Sequence, residues 1–304
     1  MFKEILFATT ASPACDDAAR VAFDLAKRYD ANLTALHIIG IPSRGYSPTV
    51  VDIRSGEEIS CDEDYLEWVK DEMKNTYARQ IEQFQKCSIE AVAGVPYREI
   101  LRSARKKGID LIIMGASSKI DEEKTGYRRY IAGSTLQAVA KAARCPVLII
   151  GRPAASFWGG ISSIVFSTDF SKASDAAFKF AYNTAKTLGC TLYIFHVLDI
   201  SSIHSGKIVS QDEIEDRIRE ARQKIRKKYV ARIKEFDDYE IEIWEGIPYV
   251  EIVKFARENY CDLIVMAHHT KEADLAKLQF GSTLEQVVLR ASCPVVSVTH
   301  EDKL

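Results

Sequence analysis

Asp110-Leu111-Ile112-Ile113-Met114-Gly115, then Gly133-Ser134-Thr135-Leu136, then Cys145-Pro146-Val147 leading to Ile150, carries the architecture of the whole chain. Two short apolar runs flank a Gly-Ser-Thr segment that opens an amphipathic stretch. Such runs suit strands buried on both faces of a parallel sheet. The same order returns as Asp262-Leu263-Ile264-Val265-Met266, Gly281-Ser282-Thr283-Leu284 and Cys293-Pro294-Val295. Self-similarity of this kind marks a duplicated unit.

Working outward, the Gly-Ser-Thr and Cys-Pro-Val fragments repeat at an offset of 148, while Gly94-Val95-Pro96-Tyr97 repeats as Gly246-Ile247-Pro248-Tyr249 at an offset of 152. Ile5, Asp16, Ala22, Lys27, Leu33 and His37 match Ile164, Asp175, Ala181, Lys186, Leu192 and His196 at an offset of 159. The falling offset places extra residues of the first copy between His37 and Gly94 and between Met114 and Gly133, both read as loops. Glycine and proline interrupt periodicity from Gly151 to Gly160, which reads as the linker. The expected domains are residues 1–152 and 160–304.

Within the first copy, Ile5 to Ala8, Leu33 to Ile39, Ile89 to Ala93, Leu111 to Met114 and Val147 to Ile150 read as strands. Amphipathic stretches over Cys15 to Tyr29, Glu63 to Lys86, Pro96 to Lys107 and Ser134 to Ala143 read as helices. Strict alternation implies right-handed crossovers, so each half is expected to be a doubly wound, five-stranded parallel α/β sheet of Rossmann-like type. Ligands of such sheets bind beyond the carboxyl ends of the strands, where the winding reverses. Attention narrows to the loop after strand one (Thr10, Asp169), the loop after strand four (Gly115, Ala267) and the helix starts at Gly133-Ser134 and Gly281-Ser282.

A chain of 304 residues suits two domains, each of roughly 150 residues and large enough to bury a core. A net charge of -2 disfavours nucleic acid and other polyanions as partners. No apolar run approaches the roughly 18 residues of a membrane span, and Met1 to Ile5 enters a strand-like run rather than a signal sequence, so a cytoplasmic protein is expected. The seven cysteines include no Cys-x-x-Cys pair and mostly sit in apolar segments, which speaks against a disulfide framework.

A helix opening on Gly-Ser-Thr presents backbone N–H groups, hydroxyls and the positive end of the helix dipole, which suit a phosphate. The same residues fit a capping box, Ser134 with Gln137 and Ser282 with Glu285, that closes the helix and binds nothing. Gly115 admits close approach of a ligand or simply makes a turn. Adjacent His268 and His269 lack the further ligands a metal needs, and no metal site is expected. His37 and His196 fall inside apolar strands and read as hydrogen-bonded core histidines. No nucleophile elbow, Walker loop or Cys-His pairing is present. The polar insertion from Pro42 to Asp62 reads equally as a lid or partner surface and as an inert loop.

Taken together, the ordered fragments resemble the universal stress protein family twice over, across nearly the whole chain. The resemblance implies the layered fold of the adenine nucleotide alpha hydrolase-like group and a site for ATP or AMP, with magnesium as companion ion. Nucleotide-binding members carry an aspartate after strand one that contacts adenine, and a spaced set of three glycines after strand four. In the first copy Gly115 matches the first glycine, Ser118 replaces the second, and fourteen rather than nine residues precede Gly133. Gly133, Ser134 and Thr135 would hold phosphate, while Thr10 stands where the aspartate is expected. The second copy keeps Asp169 and Gly281-Ser282-Thr283, but Ala267 and Thr270 replace the glycines, so a shorter ligand or none is expected there. By the same resemblance Ile38, Val197, Met114 and Met266 would line the adenine pocket. Family domains pair through the fifth strand, which makes Pro146 to Ile150 and Pro294 to Val298 the candidate edges of an intramolecular pseudo-dimer, with a homodimer beyond it.

Three functions follow: a non-catalytic, adenine-nucleotide-responsive stress regulator read by a protein partner, a scaffold with both sites empty, and a slow ATP hydrolase. The last lacks any residue set for activating water.

Overall fold

The computed structural model describes residues 1–40, 49–51, 58–116, 133–151, 160–199, 210–268 and 283–300, with backbone alone at 49–51 and 58–60. Two compact units divide the chain, Met1–Ile150 and Gly151–Leu304. The first runs β1 (Glu4–Thr9), α1 (Asp16–Tyr29), β2 (Asn32–Gly40), β3 (Thr49–Val51), β4 (Glu58–Ser60), α2 (Glu63–Thr76), α3 (Ala78–Gln83), β5 (Cys87–Gly94), α4 (Pro96–Lys107), β6 (Leu111–Gly115), α5 (Ser134–Ala142) and β7 (Val147–Ile150). The second runs β8 (Ser163–Ser167), α6 (Ala173–Leu188), β9 (Thr191–Asp199), α7 (Gln211–Lys228), β10 (Tyr239–Gly246), α8 (Pro248–Glu258), β11 (Leu263–Met266), α9 (Thr283–Arg290) and β12 (Val295–Ser297).

Each unit holds five parallel strands, in the order β7-β6-β1-β2-β5 and β12-β11-β8-β9-β10. The doubly wound architecture expected from the alternation is therefore present twice. Winding reverses between β1 and β6, and between β8 and β11, because the chain leaves the first strand in one direction and later returns to its other side. Strands β6, β7, β8 and β11 are buried almost without interruption, as helices on both faces require. Helix α1 packs across β1, β2 and β6, and α4 across β2 and β5 and against α5.

Two of the expected elements differ in detail. The stretch Glu63 to Lys86 is two helices, broken at Tyr77, whose backbone leaves helical geometry (φ -104°, ψ 16°) as its ring turns into the core, 1% exposed. The polar insertion contains a short antiparallel hairpin, β3 with β4.

The repeated motifs acquire structural roles. The aspartate heading Asp-Leu-Ile-(Ile/Val)-Met stitches strand four to the start of strand one. Asp110 Oδ2 accepts from the N–H groups of Lys3 and Glu4 at 2.9 and 3.1 Å, and Asp262 Oδ2 from those of Ser162 and Ser163 at 2.7 and 3.3 Å. In the Gly-x-Pro motif, proline occupies the first turn of α4 and α8, where a missing N–H costs nothing. The glycine is required by close approach: a Cβ on Gly246 (φ +147°) would fall 2.7 Å from Glu251 Cγ, and one on Gly94 would fall 2.8 Å from Glu99 Cγ. Gly246→Ala is accordingly expected to cost about 1–3 kcal/mol through overpacking and backbone strain, read as a lowered urea midpoint for the second unit.

Candidate functional site

The reversal points bring the sequence-derived candidates together within each unit. In the first, Thr10 follows β1, Ile38 lies near the end of β2, and Met114 and Gly115 end β6. Register aligns Ala8 with Met114 and Thr9 with His37. In the second, Asp169 follows β8, Val197 lies near the end of β9, Met266 ends β11 and Ala267 follows it. Met114, Met266 and Val197 are buried, Ile38 is half-buried, and Thr10 and Asp169 are exposed. Ser118, Thr270, His269, Gly281 and Ser282 lie outside the described residues. Thr283 is the first residue of α9.

One node shapes both loops. Thr9 Oγ1 lies 2.7 Å from Tyr77 Oη, and Thr168 Oγ1 lies 2.7 Å from Tyr229 Oη, all four side chains being buried. The same threonine oxygens accept the N–H groups of Ala11 at 2.9 Å and Phe170 at 3.0 Å. Ala11 and Phe170 are left-handed, with φ of 52° and 63°, a conformation that costs a residue bearing a Cβ about 1–2 kcal/mol. The threonine carbonyls in turn accept from Nδ1 of His37 at 2.9 Å and of His196 at 2.8 Å. A carbonyl cannot donate, so Nδ1 carries the proton and the neutral ring keeps its lone pair at Nε2. Burial pushes the Tyr77 phenol up to about 12 and the Tyr229 phenol upward as well, so both remain protonated.

The residue clasped between the threonine and the left-handed position differs between the copies. Asp169 Oδ1 accepts the N–H of Ser171 at 2.9 Å and the hydroxyl of the buried Ser174 at 2.6 Å, an Asx turn tied into the first turn of α6. In the first copy Thr10 Oγ1 meets Ser12 Oγ at 2.8 Å and Cys15 Sγ at 3.3 Å. Cys15 thus stands where the second copy has Ser174, and a hydroxyl–thiol group replaces a hydroxyl-bound carboxylate. Phe170 is further fixed by its neighbours: its ring centroid lies 4.4 Å from that of His196, and Lys224 Nζ sits 4.3 Å from the ring centre. Lys228 Nζ donates to the carbonyls of Phe170 at 2.8 Å and Ser171 at 3.2 Å, and lies 3.3 Å from Asp175 Oδ1.

Gly115 does not need to be glycine for the protein's own sake. Its φ is not positive, and an added Cβ would meet the Ala14 carbonyl at 3.6 Å and Cys15 Sγ at 3.9 Å, ordinary contacts. The conformation of Gly115 therefore sets no bar to an alanine at this place, which Ala267 occupies in the second copy. At the start of α5 the N-cap is Gly133, extended and without a side-chain cap, and the N–H of Gln137 is bonded to the Gly133 carbonyl. Ser134 is thus the first helical residue rather than the cap of a capping box, and its exposed hydroxyl stands with Thr135 at the positive end of the helix.

Among the described residues no group of three His, Cys, Asp or Glu side chains could hold a metal ion. All seven cysteines are free, and burial pushes the thiols of Cys87 and Cys190 up to about 11 and those of Cys261 and Cys293 up to about 12, which keeps them from acting as nucleophiles at neutral pH. No described helix is long and apolar enough to cross a membrane.

The sequence pattern did not single out Thr9, Thr168, Tyr77, Tyr229, Ser174 or Cys15. The repeat offsets contain the signal for the node, since Thr9 and Thr168 are related at 159 and Tyr77 and Tyr229 at 152.

Comparisons with known proteins agree with this architecture. The model of the universal stress protein family matches residues 1–151 and again 160–299. The universal stress protein MJ0531 of Methanocaldococcus jannaschii is 32% identical over 159 residues, covering 50% of this chain and 84% of that protein. Universal stress protein YxiE of Bacillus subtilis is 26% identical over 158 residues, covering 49% of this chain and 99% of that protein. Over the full length, the crystal structure of a universal stress protein from Archaeoglobus fulgidus shares the fold at 20% identity and a TM-score of 0.66, covering 99% of this chain and 97% of that one. The chain belongs to the universal stress protein family, whose domain it contains twice.

The buried histidines make stability depend on pH. Burial, the larger influence, lowers the imidazoles of His37 and His196 below their ordinary 6.5, although the carbonyl acceptors favour the charged ring. Below 6.5 the unfolded chain takes up protons that the folded rings resist. The stability this contributes is complete above that pH and is lost as pH falls through the depressed folded values. Urea midpoints should therefore fall between about pH 7.5 and about pH 5.5, and His37→Gln with His196→Gln should flatten that fall.

Proposed function

We propose that the protein is a non-catalytic, cytoplasmic regulator that binds an adenine nucleotide, ATP or AMP, at the carboxyl ends of its sheets, and that a protein partner reads the occupancy. The copies act as domains 1–152 and 160–304. Thr10, Ile38, Met114, Gly115, Ser118 and Gly133-Ser134-Thr135 are the proposed contacts in the first, and Asp169, Val197, Met266, Ala267 and Gly281-Ser282-Thr283 in the second. The observation that carries the reading is the Asp169 carboxylate, held at the winding reversal by the Ser171 N–H and the Ser174 hydroxyl. An ionised carboxylate accepts only, and the 6-amino group of adenine donates.

Other features support the same ligand. The α5 start offers exposed Ser134 and helix-end N–H groups to phosphate. Magnesium would arrive bound to the phosphates of ATP, because no described carboxylate cluster could hold it alone. The catalytic alternative has less behind it: Nδ1 of His37 and of His196 is engaged by a backbone carbonyl, and burial pushes the Cys261 thiol upward, towards its protonated form.

Calorimetric titration with AMP and with ATP, each with magnesium, tests this. Micromolar binding is expected, and Asp169→Ala should weaken it about tenfold or more through loss of a charge-assisted hydrogen bond. Absence of heat with either ligand across several temperatures would favour the scaffold reading, which has its own support in the Thr10–Ser12–Cys15 group that satisfies itself locally. The family resemblance also implies pairing through the fifth-strand edges and a homodimer. Light scattering should then return twice the chain mass of 34.1 kDa.

A further inference from the structure

We infer that Thr9 and Thr168 are positioning residues of the nucleotide loop, each held in place by a buried tyrosine, Tyr77 or Tyr229. The inference rests on the nucleotide reading above and adds how the base-contacting side chains are placed.

The geometry is local and repeated. Residue 10 or 169 is the middle of a three-residue clasp. The hydroxyl of the residue before it accepts the N–H of the residue after it, at 2.9 Å in the first copy and 3.0 Å in the second. In both copies the clasped N–H belongs to a left-handed residue, Ala11 or Phe170, although neither is glycine. The threonine bond anchors the N–H at which that strained conformation begins. The consequence is directional. With the N–H of residue 170 spent on Thr168 and that of Ser171 on Asp169, the loop presents the side chain of residue 169 rather than a row of backbone donors.

The second half of the argument concerns strand two. The carbonyl of the same threonine accepts from Nδ1 of His37 or His196, and each histidine directly precedes Ile38 or Val197. A single residue therefore fixes the spacing of the two elements assigned to the base, through its hydroxyl on one side and its carbonyl on the other. The tyrosine completes the set. At 2.7 Å its hydroxyl leaves the threonine one rotamer, and it arrives from the residue that ends helix α2 or α7. Tyrosine and threonine thereby couple that helix to the loop.

The discriminating experiment compares Thr168→Val, which keeps shape and removes the hydroxyl, with Thr168→Ser, which keeps the hydroxyl, and with Tyr229→Phe. Thr9→Val, Thr9→Ser and Tyr77→Phe repeat the affinity comparison in the first copy, where Ala11 stands in place of Phe170. Two readouts are taken on the full chain well below the unfolding temperature: AMP affinity by calorimetry, and nuclear Overhauser contacts between the Phe170 and His196 rings, whose centroids are 4.4 Å apart. Thr168→Val should lose the ring contacts and weaken AMP about tenfold, Thr168→Ser should keep both within about twofold, and Tyr229→Phe should fall between them, since it touches the clasp only indirectly. Because the serine and phenylalanine variants report separately, the ordering remains readable should Thr168→Val fail to fold. Ring contacts and AMP affinity that survive in the valine variants, or an equal loss in valine and serine variants, would overturn the positioning role. An intact protein that binds no AMP would instead remove the nucleotide reading, while the ring contacts would still decide whether Thr168 places the loop.

Discussion

The hydrogen bond between a threonine at the end of the first strand and a tyrosine at the end of the second long helix is the constraint on which the rest of each copy depends. Both hydroxyls are buried, and a buried hydroxyl without a partner costs about 1–3 kcal/mol. The pair therefore has to meet, at 2.7 Å in each copy. Meeting it breaks the helical stretch after Thr76, draws the tyrosine ring against Phe7 in the first copy and against Phe166 and Phe178 in the second, and fixes the threonine rotamer. The left-handed residue, the Asx turn at Asp169 and the histidine on the second strand are arranged around that fixed oxygen and its carbonyl.

The architecture was legible in the sequence because it rests on periodicities. Continuous apolar runs such as Leu111 to Met114 announce strands covered on both faces, and the alternation with helices leaves few topologies. The winding reversal was legible for the same reason: it follows from strand order, and it sets Thr10 and Met114, and likewise Asp169 and Met266, at the ends of neighbouring strands. The polar details were not. Tyr77 lies in a stretch that reads as uninterrupted helix, because pattern analysis has no term for a hydroxyl partner some seventy residues away. Ser134 illustrates the opposite failure. Its spacing to Gln137 satisfies a capping box, yet the helix starts one residue earlier and Gly133 takes the cap. One residue of phase at a helix end changes a side chain from a cap into a group facing solvent.

The motif glycines separate in the same way once geometry is known. Gly94 and Gly246 admit no side chain because a glutamate packs over them, so they belong to the fold. Gly115 has ordinary space around it and an ordinary backbone, so the protein interior does not demand it. The alanine that takes its place in the second copy, Ala267, is accordingly compatible with the sheet.

The two copies share the buried threonine, tyrosine and histidine at this end of the sheet and differ around them, at buried and exposed positions alike. Threonine, tyrosine and histidine are the same in both, and so is the aspartate that ties strand four to strand one. Thr10 against Asp169, Ala11 against Phe170, Cys15 against Ser174 and Gly115 against Ala267 are among the differences, and all lie on the loops at the reversal point or on the strand and helix ends beside them. The charge differs with them. The second copy sets a carboxylate at the loop, with Lys224 over Phe170 and Lys228 on the loop carbonyls, whereas Thr10 offers a hydroxyl that can donate or accept. The shared buried node accommodates that divergence, since it holds the loop from beneath in both copies while Asp169 and Thr10 each make their own local bonds above it.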